Sequence, residues 1–244
     1  MRYIGGKSRL AKEISGVILE NTTERETYYE PFMGGGATLA KIAPNFKKIY
    51  ASDNHPDLML MWKAVLDGWE PPTKINEYQY QWLKDSWPSP VRGFVGFAGS
   101  FGGKWFGGYA RGNTTKGDPR NYLAESARAI EKIRLALEGL DITLACKSYD
   151  RWDPIPGSVV YCDPPYANSQ GYSTGDFDSA AFWKKMDEWS QTSKVFVSEY
   201  QAPEGWTEVW RKDHRRNLAL PDQGRPVTIE RLSTRYKDVS KRRV

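Results

Sequence analysis

Cysteine and histidine are nearly missing from this chain, with two of each in 244 residues. Cys146 and Cys162 are too few for a disulfide scaffold and fit a reducing cytosol. With so few histidines, a dedicated zinc site is not expected either. No window is long and apolar enough to span a bilayer. The first residues, Met1-Arg2-Tyr3-Ile4-Gly5-Gly6-Lys7, lack the apolar core of a signal peptide. Internal repeats and low-complexity tracts are also absent. What remains, 39% hydrophobic and 27% charged residues, describes a soluble globular protein with room for one large domain or a core carrying a smaller insertion. The net charge of +5 hints at a polyanionic partner, although solvated lysines give the same sum. Ten tryptophans and fourteen tyrosines suit either a rich core or a surface that stacks on bases.

The chain is organised around Ser158-Val159-Val160-Tyr161-Cys162-Asp163-Pro164-Pro165-Tyr166. Its β-branched and aromatic run reads as a buried strand, which the two prolines end because they cannot extend a hydrogen-bond ladder. Asp163 and Tyr166 then fall at the strand's carboxyl end, the edge where open α/β sheets place ligands. A plain strand and rigid turn would look the same in isolation.

Further features share this logic. A glycine turn, Tyr3-Ile4-Gly5-Gly6-Lys7-Ser8, precedes a helix expected from Arg9 to Leu19. It lacks the earlier glycine and strand of a phosphate loop, so Lys7 reads instead as a cation at the mouth of a site. Tyr28-Tyr29-Glu30-Pro31-Phe32-Met33-Gly34-Gly35-Gly36 reads as a short strand, a glycine turn and a helix start at Ala37, which lets a ligand approach a helix amino terminus. A second strand, Lys48–Ser52, ends at Asp53. That acid stands either where nucleotide-binding folds accept a ribose hydroxyl or as a cap of the helix Asp57–Leu66.

From Trp69 to Gly139 the composition changes. Residues 94–112 alternate glycine with aromatics and show no amphipathic period, which predicts a shaped loop rather than a helix or strand. Its aromatics, with Lys104, Arg111, Lys116 and Arg120 nearby, either stack bases and meet phosphates or pin the loop to the core. A helix over Tyr122–Leu137 closes the region. Strands at Ile142–Cys146 and Lys194–Ser198 follow, with a helix near Ser179–Gln191 capped by Asp178. A terminal hairpin, Thr207–Trp210 with Thr228–Tyr236, encloses a basic loop at 211–216, either a solvated tip or a phosphate contact. The tail at 241–243 reads as disordered.

The ordered set Tyr3-Ile4-Gly5-Gly6-Lys7, Glu30-Pro31-Phe32-Met33-Gly34-Gly35-Gly36, Asp53 and Asp163-Pro164-Pro165-Tyr166 resembles the Dam-like family of S-adenosylmethionine-dependent DNA adenine-N6 methyltransferases. The resemblance implies an α/β, Rossmann-like methyltransferase fold with a mostly parallel seven-stranded sheet. Residues 1–68 and 140–244 would form the cofactor-binding and catalytic domain, and 69–139 an inserted target-recognition region. It implies S-adenosylmethionine as cofactor, held by Tyr3, Lys7, Phe32, Gly34, Gly36, Asp53 and Asp163, and double-stranded DNA as partner, without metal or membrane. Asp163, Pro164, Pro165 and Tyr166 would be catalytic. Lys104, Arg111, Lys116, Arg215 and Arg216 are the candidate DNA contacts. A bacterial or phage-infected host cytosol is the implied location, and a monomer is compatible with the sequence. The recognised bases are left open, because residues 94–112 match no recognition region of known target. Competing readings are a non-catalytic DNA-binding module, a methyltransferase acting on RNA or cytosine N4, and a nicotinamide dehydrogenase.

Overall fold

The computed structural model describes residues 1–165, 177–215 and 227–236. Seven strands form one sheet: β1 (Thr27–Glu30), β2 (Lys48–Asp53), β3 (Asp141–Cys146), β4 (Val159–Cys162), β5 (Lys194–Ser198), β6 (Thr207–Arg215) and β7 (Val227–Arg235). Their order is β3-β2-β1-β4-β5-β7-β6. The first five run parallel, and β7 pairs antiparallel with both β5 and β6. The expected mostly parallel seven-stranded sheet is therefore present. The chain moves outward from β1 through β2 to β3, then crosses back to β4 on the other side of β1. That reversal opens a crevice at the carboxyl ends of β1 and β4.

The central strands are apolar without alternation because both sheet faces are covered. Tyr28, Val159, Tyr161 and Phe196 join one buried cluster, and Tyr29, Val160, Cys162, Val195 and Val197 join the other. Successive residues point to opposite faces, so each short strand feeds both layers. The first cluster is closed by α1 (Ala11–Glu20), α2 (Leu39–Ile42), α3 (Pro56–Leu66), α4 (Glu77–Lys84), α5 (Pro90–Ala98) and α6 (Tyr122–Leu137). The second is closed by α7 (Ser179–Trp189) through Phe182, Met186 and Trp189. Asp178 caps α7 as expected, its carboxylate accepting the Ala181 N–H at 2.9 Å.

Two expectations are corrected. Residues 94–98, the first part of the predicted loop, belong to helix α5 (Pro90–Ala98), at whose start the Ser89 hydroxyl accepts the Arg92 N–H. Within the helix Val91, Phe94, Val95 and Ala98 do recur at helical spacing, but the stretch 94–112 begins inside it and runs well past its end, which dilutes the period. The glycines, which argued against a helix, are what let it pack. A Cβ at Gly93 would lie 2.1 Å from the Asp57 carbonyl oxygen on α3, and one at Gly96 would lie 2.2 Å from the Trp105 ring. Beyond Gly99 the stretch does run as irregular turns.

The second correction concerns the basic run. Arg211 to Arg215 lie in β6, paired with Val227 to Arg231, rather than in a loop. In a ribbon at the sheet's edge, the partner strand satisfies the backbone whatever the side chains' polarity, so composition alone misreads it. Helix α4 had no counterpart in the expectations, although Asn76 and Gln79 form a reciprocal capping pair at its start. Tyr80, Leu83, Phe94 and Phe97 from the 69–139 segment share one buried cluster with Met61, Trp62 and the sheet.

Candidate active site

A cavity of about 370 Å³ opens at the carboxyl ends of β1, β2 and β4, within the range typical of small-molecule sites. The amino-terminal segment forms one wall. Its turn is closed by a hydrogen bond from the Gly6 N–H to the Tyr3 carbonyl (3.0 Å), with Gly5 at φ 71°. The Tyr3 ring lies on the glycine turn after β1, where a Cβ at Gly34 would come within 2.8 Å of it. From the other side Gly103 packs against the Tyr3 backbone, and its carbonyl accepts the Ile4 N–H at 3.0 Å. Tyr3 is thus clamped between two glycine turns, neither of which has room for a side chain.

Asp53, at the end of β2, braces the same turn. Its carboxylate accepts the Gly34 N–H (3.1 Å) and the His55 N–H (3.1 Å). Burial pushes its carboxyl up to about 6, against the opposing pull of those bonds. It is not the cap of α3, a role taken by the His55 ring, which accepts the Leu58 N–H. Each Asp53 oxygen keeps lone-pair capacity for a ligand hydroxyl.

At the crossing itself the Lys7 ammonium lies 2.7 Å from Asp163 and 3.4 Å from Glu230 of β7. Lys7 and Glu230 are buried, and Asp163 is 18% exposed. Burial alone would lower the lysine's pKa, but the two carboxylates outweigh it and hold the pKa above its ordinary value. Glu30, at the end of β1, is 2% exposed and accepts the Tyr28 hydroxyl at 2.7 Å. Burial, reinforced by the nearby Asp163 charge, raises its carboxyl to about 8.

Tyr3, Lys7, Phe32, Gly34, Asp53, Asp163 and Pro165 all line this one cavity. Gly36 does not, and instead makes room for Trp62, whose ring a Cβ there would meet at 2.9 Å. Pro164 is buried. Tyr166 and Arg216 lie outside the described residues. Lys104 is exposed and follows the Tyr3-contacting Gly103 at the cavity's rim, next to Trp105, which lines it. Lys116 is exposed, Arg111 is paired with Glu77 of α4, and Arg215 ends β6.

The motifs did not announce Glu30, His55, Trp105, Tyr149 or Phe177, which line the cavity, or Glu230, which contacts Lys7 behind its wall. The Phe32 ring stacks on Tyr149 at 5.3 Å and meets Phe177 edge-on at 6.2 Å, giving the cavity an aromatic wall. Only tertiary packing assembles that wall; Glu30 alone carried a local signal, as an acid ending a buried strand beside the glycine turn.

Sheet order and cavity together define an open α/β protein with a ligand site at its topological switch point. The model of the D12 class N6 adenine-specific DNA methyltransferases matches residues 3–91, which carry Tyr3, Lys7, Phe32, Gly34 and Asp53. A 69-residue stretch is 36% identical to the Type II methyltransferase M.MjaIII of Methanocaldococcus jannaschii, covering 27% of this chain and 24% of that protein. The chain thus matches about a quarter of that relative's length. The resemblance read from the motifs is borne out over this amino-terminal part. Among solved structures, an rRNA methylase from Streptococcus thermophilus aligns at 12% identity with a TM-score of 0.39, over 92% of this chain and 96% of that one. The 23S rRNA methyltransferase ErmE aligns at 12% identity with a TM-score of 0.41, over 93% and 69%.

Proposed function

We propose that the protein transfers a methyl group from S-adenosylmethionine to the N6 amino group of adenine in double-stranded DNA. The observation that carries this reading is that Asp163, the glycine turn and Asp53 face one cavity. Had the Asp163 carboxylate been remote from the glycines, the motifs would have had no common chemistry. The match of residues 3–91 to the adenine-specific family model supports the same reading from sequence.

The residues present fit the cofactor. Asp53 offers a buried acceptor for ribose hydroxyls, Phe32 and Tyr149 an aromatic wall, and Asp163 with Glu30 an acidic floor. When bound, S-adenosylmethionine supplies a methyl group activated by a sulfonium. The protein's task is then to make the adenine amine a competent nucleophile, since its lone pair is delocalised into the ring. The Asp163 carboxylate and the Pro164 carbonyl would each accept one amine hydrogen, which turns the nitrogen towards a tetrahedral shape. Pro165 stiffens the turn, so these acceptors are held in place before the base arrives. Tyr166 would stack on a base swung out of the duplex, offsetting part of an unstacking cost of a few kcal/mol. Lys104 at the rim, with Arg111, Lys116, Arg215 and Arg216, would meet phosphates.

The test is Asp163→Ala, assayed with tritiated cofactor and duplex DNA followed by nucleoside analysis. Transfer is expected to fall below detection while DNA affinity stays within a few-fold. Full activity in that variant, or label on cytosine or RNA only, would overturn the reading.

A further inference from the structure

The carboxylate of Glu230 reaches Lys7 from β7, a strand on which no motif was recognised, without itself lining the cavity. Glu230 is 7% exposed, and its oxygen stands 3.4 Å from the Lys7 ammonium, whose stronger contact is the 2.7 Å bond to Asp163. Lys7 thus has an acid from β4 on one side and an acid from β7 on the other. This arrangement bears on the function proposed above, on which the inference rests. An ammonium hydrogen bonded to Asp163 Oδ1 competes with an incoming amine for the acceptor and withdraws charge from it.

We propose that Glu230 is a positioning residue, drawing the Lys7 ammonium towards itself when the adenine amine enters and so loosening its hold on Asp163, which then accepts an amine hydrogen. The distances favour such a handover. Closing the Glu230 contact from 3.4 Å to the usual charge-assisted length of about 2.8 Å moves the ammonium by only about 0.6 Å and stretches the 2.7 Å bond to Asp163 to about 3.3 Å at most, which weakens it without breaking it. The lysine keeps a counter-charge throughout, so it is never left buried and unpaired, which is the state that makes breaking such pairs costly. No bond other than hydrogen bonds is made or broken in this step, and no proton changes owner.

The experiment is a double-mutant cycle read in single-turnover methyl transfer at saturating cofactor and DNA. Glu230→Gln keeps the shape and removes the charge. It is expected to slow transfer by about 10- to 100-fold, the range for losing one hydrogen bond to a charged group, with cofactor and DNA affinities within about three-fold. In a Lys7→Met background, where there is no ammonium to hand over, the same substitution is expected to have no further effect. An equal loss in both backgrounds means that Glu230 acts only through folding and overturns the proposal, as does a wild-type rate in Glu230→Gln. Should Glu230→Gln not fold, Glu230→Asp in the same two backgrounds replaces it. That variant draws the charge back by one methylene and is expected to lose about 3- to 10-fold with Lys7 present and nothing without it. An unmutated enzyme that methylates no DNA sinks the function and the handover together; an active one with no coupling sinks the handover alone.

Discussion

Replacing Glu30 with glutamine probes the electrostatics of the cleft with little change in its shape. Glu30 is buried at the end of β1, and its carboxyl is raised from 4.5 to about 8, chiefly by loss of water. The Tyr28 hydroxyl and a bond from the Leu39 backbone oppose that rise, while the Asp163 charge adds to it. Between pH 4.5 and about 8 the folded protein therefore holds a proton at this residue that the unfolded chain has released. Stability is full below the unfolded value and falls as pH rises, by about 1.4 kcal/mol per pH unit. From pH 5 to pH 7, two units, the loss at Glu30 comes to about 3 kcal/mol. Asp53, raised from 3.8 to about 6, contributes with the same sign, but it is common to both proteins and cancels in their difference. Urea denaturation of wild type and Glu30→Gln at pH 5, 6, 7 and 8 supplies the comparison. The variant, which titrates nowhere at this position, is expected to gain about 3 kcal/mol on the wild type between pH 5 and 7. Parallel stability curves would mean that Glu30 is ionised throughout and would refute the reasoning.

Two further outcomes are expected, beside those for Asp163 and Glu230. Gly93→Ala drives a methyl into the Asp57 carbonyl, a backbone atom that cannot step aside, and is expected to cost about 3 kcal/mol or more, read as a lowered Tm. Arg92→Met removes the guanidinium 2.6 Å from the buried Asp57 carboxylate. The uncompensated charge is expected to cost about 3 to 5 kcal/mol by chemical denaturation, largely recovered when Asp57→Asn is added.

How much of this was legible in the sequence varied with the range of the physics involved. The strands through Tyr28-Tyr29, Val159–Cys162 and Val195–Val197 were readable because a run of β-branched and aromatic residues buried on both faces leaves a continuous local signal. The helix at Tyr122–Leu137 was readable because its one buried face repeats every turn. Helix α5 was not, since its apolar period through Val91, Phe94, Val95 and Ala98 is short and carries glycines that read as loop but fit α3 and Trp105. The site divided in the same way. Asp53 and Asp163 were found because each ends a strand, and strand ends can be counted. Glu230 sits mid-strand in a ribbon among Arg, Lys and Thr residues, and only the register of β7 against β5 and β6 carries it to Lys7.

The convergence of charge at this crossing also discriminates among ligands. Asp163 and Glu230 flank the Lys7 ammonium from different strands, and Glu30 stands near Asp163, in a region where burial penalises unpaired ions. Burial pushes the Glu30 carboxyl up to about 8, so this acid holds its proton at neutral pH. The Asp163 carboxylate at the cavity wall suits a ligand's positive group better than a negative one. The sulfonium of the proposed cofactor is positive; the diphosphate of a nicotinamide dinucleotide, which shares the glycine turn and the acid after β2, is negative. Under the function proposed above, Asp163 after β4 thus suits the sulfonium better than the diphosphate, a distinction that the glycine turn and the acid after β2 do not make.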